Sequence, residues 1–274
     1  MIATRLLLSL LCFTAAITAH AQVITVQNRV VSAQGAAGIA YVNIGVKGKN
    51  IGTVSDERGH FKLELPLNAL EDTLLFSCIG YEPVKVPVDV MHQLGVPVLM
   101  SRQVSSLPEV SVKATRLKEQ FFGHFTESPV LQAGFNQNIL GKECGVLMHS
   151  KKPALLDQVQ INFGKCTYDS VHFRLNVYRK LADGSFENLL QEPIILVYNK
   201  VELKETLAID VKPYAIAVQG DFLVSIEYIR DMGPGTLYFK SKMNKKSYIR
   251  STSQAEWVEA PIGLSIGVFA LVER

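Results

Sequence analysis

The chain holds 274 residues, with 28 Lys and Arg against 25 Asp and Glu, for a formal net charge of +3. A balance this close gives no reason for nucleic acid or an anionic lipid surface to be an obligatory partner. The composition, 48% hydrophobic, suffices for sizeable cores, yet past the N-terminus no run is long and apolar enough to span a bilayer.

Residues 1–21 read as an export signal. Arg5 supplies the positive start, Leu6 to Ile17 the apolar run and Ala19-His20-Ala21 a small-x-small cleavage site, so the mature chain is expected to begin at Gln22. Cys12 lies inside the run rather than behind a small residue at its end, which argues against a lipid anchor. The expected location is the periplasm, the outer membrane or the cell surface. Cys78, Cys144 and Cys166 remain after cleavage. Their odd number allows at most one internal disulfide, with Cys144 and Cys166 favoured because they share one half of the chain. No CxxC or zinc-like spacing occurs, so neither a metal nor a cofactor is expected.

From 22 to 113 the residues alternate with the period of strands. Val42, Ile44 and Val46 take one face against Tyr41, Asn43 and Lys47, and Phe61, Leu63 and Leu65 do the same against Lys62 and Glu64. Turn signals at Gly48-Lys49-Asn50, at Asp56 to Gly59 and at Gly80 divide the runs at short intervals, as in an antiparallel sandwich. The stretch Asp56-Glu57-Arg58-Gly59-His60 gathers acid, base and imidazole as a catalytic cluster would. It reads instead as a loop between the adjoining strands Thr53 to Ser55 and Phe61 to Leu65, with Asp at the turn start, Gly free to take positive φ and His60 toward solvent.

Residues 114–138 hold Phe121, Phe122, Phe125 and Phe135 without a clean period, and read as a connector that docks on a second domain through its aromatics. From 139 to 274 the strand pattern resumes. Phe173, Leu175 and Val177 alternate with Arg174 and Asn176, and Asp183-Gly184 marks a hairpin. The simplest architecture for this half is a second sandwich of jelly-roll type.

The run "AAGIAYVNIGVKGKNIGTVSDERGHFKLELP", followed by "DTLLFSCIGYEPVKVPV", resembles the carboxypeptidase regulatory-like domain common in exported proteins of the Bacteroidetes. The resemblance covers about Val30 to Leu99 and implies a transthyretin-like sandwich without enzymatic activity of its own. "SSLPEVSVKA" is similar to the segment that joins this domain to the plug of outer-membrane receptors, but the residues after Val110 are too few for a plug and barrel. The second half is similar, more loosely, to galactose-binding-like modules, and fold analogy alone gives no function.

Each candidate site also has a plainer reading. His124 and Glu127 have the HxxE spacing of a zinc site, but no later histidine is placed to complete a metallocarboxypeptidase set. Glu202 with Glu205, or Asp221 with Glu227, could serve glycoside hydrolysis only if they faced one cleft, and scattered surface acids explain them equally. No GxSxG or protease-type cysteine signature is present. Cys78, flanked by Phe76 and Ile79, reads as a small buried hydrophobe. The richest stretch is "LYFKSKMNKKSYIRSTSQAEW", where Tyr238, Tyr248, Arg250 and Trp257 form a candidate ligand-binding set able to stack a sugar ring or a peptide side chain. A hairpin with its aromatics in the core explains the same residues.

The sequence thus leads to an all-β, exported, non-enzymatic protein of two domains that binds or assembles with an envelope protein or other ligand. The alternatives are a glycan-binding accessory protein of a nutrient-uptake system and a hydrolase with an unrecognised site.

Overall fold

The computed structural model describes residues 22–93, 95–103 and 117–273. The leader read at 1–21 and the receptor-like segment at 105–114 lie outside them. The described chain is nearly all β, and no helix in it is long and apolar enough to cross a membrane.

The N-terminal domain is a sandwich of two sheets. β1 (Val23–Ser32) lies between β4 (His60–Pro66) and β7 (Val98–Met100), antiparallel to the first and parallel to the second. The second sheet runs β3 (Gly52–Val54), β2 (Asn43–Val46), β5 (Thr73–Ser77), β6 (Val84–Pro87). In β4 the alternation is complete: Phe61, Leu63 and Leu65 are buried and the residues between them exposed. Phe61 meets Phe76 of the opposite sheet edge-on, with ring centroids 5.6 Å apart. A short helix, α1 (Val88–Gln93), follows β6 and buries Val88 and Met91; Pro87 just before it suits a helix entrance.

The stretch around Asp56 differs from its sequence reading in one respect. β3 and β4 do not pair with each other: β3 pairs with β2 and β4 with β1, so the loop is an arch that carries the chain from one sheet to the other. Asp56 Oδ1 accepts the N–H groups of Arg58 and His60, both at 2.8 Å, which fixes the turn. Gly59 has φ +84°, and a Cβ there would meet the Val30 carbonyl, so both conformation and space require glycine.

The C-terminal domain is organised by one long strand, β10 (Glu143–Cys166), whose register shifts between Ser150 and Ala154. Its first half pairs with β15 (Ala217–Tyr228) and β16 (Leu237–Arg250), and its second half with β14 (Thr206–Asp210) and β18 (Ile266–Glu273). The order across the main path is β12 (Phe186–Asn188), β11 (Ser170–Lys180), β15, β10, β16, β17 (Val258–Leu264), with β13 (Ile194–Asn199) also on β11. Phe173, Phe222, Tyr228, Phe239 and Leu156 fill the core.

Two expectations change here. The supposed connector supplies strands to this domain: β8 (Leu117–Gly123) pairs with β18 and β9 (Gln132–Phe135) with β16. Its aromatics are part of the core, Phe122 against Phe222 and Phe135 against Tyr228. Cys144 and Cys166 stand at opposite ends of β10 and are free, since two ends of one strand cannot approach to disulfide distance.

Candidate functional site

The face of the C-terminal sheet turned away from its core carries a row of charge. On β11, Phe173, Leu175 and Val177 point into the core, so Arg174, Asn176 and Tyr178 take the other face. Register then sets Arg174 opposite Glu227 of β15, Glu227 opposite Glu143 of β10, and Glu143 opposite Arg250 of β16. Four adjacent strands thus contribute one residue each to a ladder of Arg, Glu, Glu, Arg. Both carboxyl groups are 0% exposed.

Burying charge at this depth is tolerable only with near-complete hydrogen bonding. Arg174 donates through Nε and Nη2 to Glu227 Oε2 at 3.0 and 2.8 Å. Arg250 Nη2 lies 2.6 Å from Glu143 Oε2 and 3.3 Å from Glu227 Oε1. Asn176 Nδ2 donates to both carboxylates, and the hydroxyls of Ser225 and Tyr178 donate to Glu143. The two acids are driven apart in acidity. Burial, helped by the neighbouring Glu227 charge, pushes Glu143 above the ordinary carboxylate range against the pull of Arg250. Burial also acts upward on Glu227, but Arg174 and Arg250 together outweigh it and hold that carboxyl below the range.

The ladder also ties the domains together. Arg174 Nη1 donates to the Tyr41 carbonyl at 2.8 Å and Nη2 to Asn43 Oδ1 at 2.6 Å. Tyr41 has φ +56°, an unusual conformation for a non-glycine residue. Next to it, the loop between β16 and β17 sits on the paired glycines of β2 and β3. A Cβ on Gly45 or Gly52 would lie 2.5 or 2.3 Å from the Ser253 carbonyl, so these glycines form the notch that admits it. Gly48 N–H to the Gln254 carbonyl, Gln254 Nε2 to Ser77 Oγ, Ser251 Oγ to Asn50 Oδ1, and Arg230 to Glu57 add to the interface.

Between the domains this packing leaves a cleft of about 440 Å³. The N-terminal domain lines it with Asn43, Ser77 to Gly80, Pro83 and Gln103. The C-terminal domain lines it with the ladder residues Arg174, Asn176 and Arg250, with Tyr178 and Phe186, and with Glu187, Asn188, Leu190, Gln191 and Gln254. Phe186 is half-buried at the centre of an aromatic group, 5.6 Å from Trp257, 5.8 Å from Tyr248 and 6.4 Å from Tyr178, ring centre to ring centre. The Arg250 guanidinium stands over the Trp257 ring at 5.2 Å.

Of the four residues singled out from the sequence, Tyr248, Arg250 and Trp257 are therefore gathered beside the cleft, and only Arg250 lines it. Tyr238 is elsewhere on β16, opposite Gly134 of β9. The sequence reading missed Arg174, Asn176, Tyr178, Phe186 and Glu143. The signal for Arg174, Asn176 and Tyr178 was the other half of the alternation in "VHFRLNVYRK", and Phe186 and Glu143, outside that run, had none. Asp221 and Glu227 do not pair: Asp221 holds His149 at 2.6 Å, and the partner of Glu227 is Glu143. Glu202 caps a turn at Asn199 and Glu205 pairs with Lys240, away from the cleft. His124 is half-buried, and burial and the nearby lysines lower its pKa. No group of three or more potential ligands able to hold a metal ion occurs among the described residues.

No curated protein matches the sequence. Among solved structures, one of infectious bursal disease virus strain Gx is 8% identical and aligns over 91% of this chain and 63% of that chain with a TM-score of 0.23, so this chain spans less than two thirds of that protein's length. A carbohydrate-binding module of the beta-sandwich superfamily is 10% identical over 86% of this chain and 97% of that chain, at a TM-score of 0.17. TM-scores this low do not superpose the folds, and nothing about this chain follows from either. Residues 26–112 match the family model of the CarboxypepD_reg-like domain, and with the two-sheet sandwich described above the N-terminal domain is a CarboxypepD_reg-like β-sandwich.

Proposed function

We propose that the protein is a non-enzymatic binding protein of the cell envelope and that the cleft between its domains receives the ligand or partner. The observation that carries this reading is the state of the cleft's charged wall. Both ladder carboxylates are sealed beneath Arg174, Arg250, Asn176 and Tyr178, with their oxygens already engaged. A catalytic acid or base needs hydrogen-bond reach of its substrate. Glu187, the carboxylate that does line the cleft, is paired with Arg179. Cys78 also lines it, but burial raises its thiol pKa and keeps it protonated. What is left is a preformed polar and aromatic recess walled by two interlocked domains, the form of a recognition site.

Export rests on Arg5, the apolar run to Ile17 and the Ala19-His20-Ala21 site. Two measurements test the reading. The product recovered from the envelope fraction is expected to start at Gln22; an uncleaved chain in the cytoplasm overturns export. Assays on generic chromogenic peptides, esters and glycosides are expected to show no turnover; turnover abolished by Glu143→Gln or Glu227→Gln overturns the non-enzymatic reading.

A further inference from the structure

The chemistry of the recess narrows what can occupy it. We infer that the cleft binds a short, uncharged saccharide, with one sugar ring laid on Phe186 and its hydroxyls met by the amides of both domains. This deepens the binding reading and rests on it.

Three features of the cleft point the same way. The first is charge. Arg174 directs its N–H groups to Glu227, Tyr41 and Asn43, and Arg250 faces Glu143 and Glu227, so the guanidinium groups are matched by carboxyl groups within the wall. An anionic or cationic ligand would find no uncommitted opposite charge there.

The second is the supply of neutral hydrogen-bonding groups. Gln103 from one domain and Gln191 from the other are exposed, line the cleft, and have side chains with no hydrogen-bond partner among the described residues. Gln254 uses Nε2 on Ser77 and leaves its Oε1 open. Arg250 is 9% exposed and its Nε–H has no acceptor. A buried donor without an acceptor is costly, so at this point the wall is short of acceptors rather than of donors. Amides and guanidinium groups each present donors at fixed spacing, and hydroxyls both give and take hydrogen bonds, so a polyol can satisfy such a mixed set.

The third is the aromatic wall. Phe186 is held by ring contacts with Trp257, Tyr248 and Tyr178. A buttressed ring that lines the cleft can receive the apolar C–H face of a sugar at little entropic cost. The volume, about 440 Å³, falls within the usual range of about 300–1,000 Å³ for small-ligand sites. A peptide is the less suited occupant. It would look for a run of unpaired backbone groups, and the strand at this edge, β12, has three residues.

Trp257, the only tryptophan, lies against Phe186 and Arg250 and gives an intrinsic signal. The mature chain should be titrated with short neutral malto-, cello-, xylo-, manno- and galacto-oligosaccharides. The charged comparison is oligogalacturonate, and the peptide comparison a set of unrelated tetrapeptides. Fluorescence is read beside calorimetry. At least one neutral series should bind, about tenfold or more weaker in Phe186→Ala, and several-fold weaker in Gln191→Ala, whose exposed side chain makes no hydrogen bond to another described residue. Lys118→Ala, on another face, should bind as the parent does. Binding by no neutral series overturns the inference. Binding of only oligogalacturonate or peptide, still sensitive to Phe186→Ala and Gln191→Ala, overturns the saccharide class and leaves the cleft as the site. Binding of a neutral saccharide indifferent to both substitutions overturns the cleft itself.

Discussion

At Asp56 to His60, acid, base and imidazole are consecutive in the chain and remain in solvent; at Arg174, Glu227, Glu143 and Arg250, the members are scattered through the second domain and lie out of solvent on four adjoining strands. The first group is together because a turn is polar, and its conformation is fixed by one aspartate and one glycine. The second is together because strand register puts it there. Loss of a partner has different consequences in the two cases: an exposed charge is resolvated by water, whereas a buried one is left without compensation.

The largest effect is expected from Arg174→Met. It takes from Glu227 its bidentate partner, leaving Arg250 and Asn176, and removes the contacts to Tyr41 and Asn43, and urea unfolding should show a loss of about 3–5 kcal/mol. Glu227→Leu added to it should recover part of that loss, as removal of both members of a buried pair does. Gly52→Val comes next. Its side chain would enter the space of the Ser253 carbonyl, and a cost of about 1–3 kcal/mol is expected, with the domain junction becoming sensitive to limited proteolysis.

A smaller effect comes from pH. Glu227 titrates below its reference value of 4.5, so its contribution is present above 4.5 and is lost as pH falls through the depressed native value. Glu143 titrates above 4.5, so its contribution is full below 4.5 and is lost as pH rises through the raised native value. Stability followed by Trp257 fluorescence should therefore peak near pH 4.5, where the two contributions are present together, and Glu143→Gln should flatten the decline at higher pH. A peak that Glu143→Gln leaves unchanged would place the dependence elsewhere. The least effect belongs to the exposed group. Asp56→Ala, which releases two backbone N–H groups, should cost about 1 kcal/mol, and Arg58→Ala should stay within about 0.5 kcal/mol by thermal melting. An Arg58→Ala loss as large as that of Arg174→Met would erase the distinction.

Much of the fold was legible along the chain. The alternation of Phe61, Leu63 and Leu65, the hairpin at Asp183-Gly184 and the pattern matched by the CarboxypepD_reg-like model all lie within short windows. The arch at Asp56 was legible as a turn but not as a crossing between sheets, because the same Asp and Gly serve a hairpin equally well. The strands at Leu117–Gly123 and Gln132–Phe135 were hidden because edge strands that pair with distant partners need no clean period of their own.

Local sequence was enough to say which residues alternate, where the chain turns and that Arg174 and Asn176 share a face. It took the folded chain to bring Arg174 to Glu227, Glu227 to Glu143 and Phe186 against Trp257 beside them. The reason is physical. Side-chain direction along a strand is a local property with a period of two, whereas register between strands far apart in the chain is chosen by the packing of the whole core. The cleft is made by register and by the Gly45–Gly52 notch; both glycines stand in one short hairpin, but the Ser253 carbonyl that fills their notch comes from the other domain.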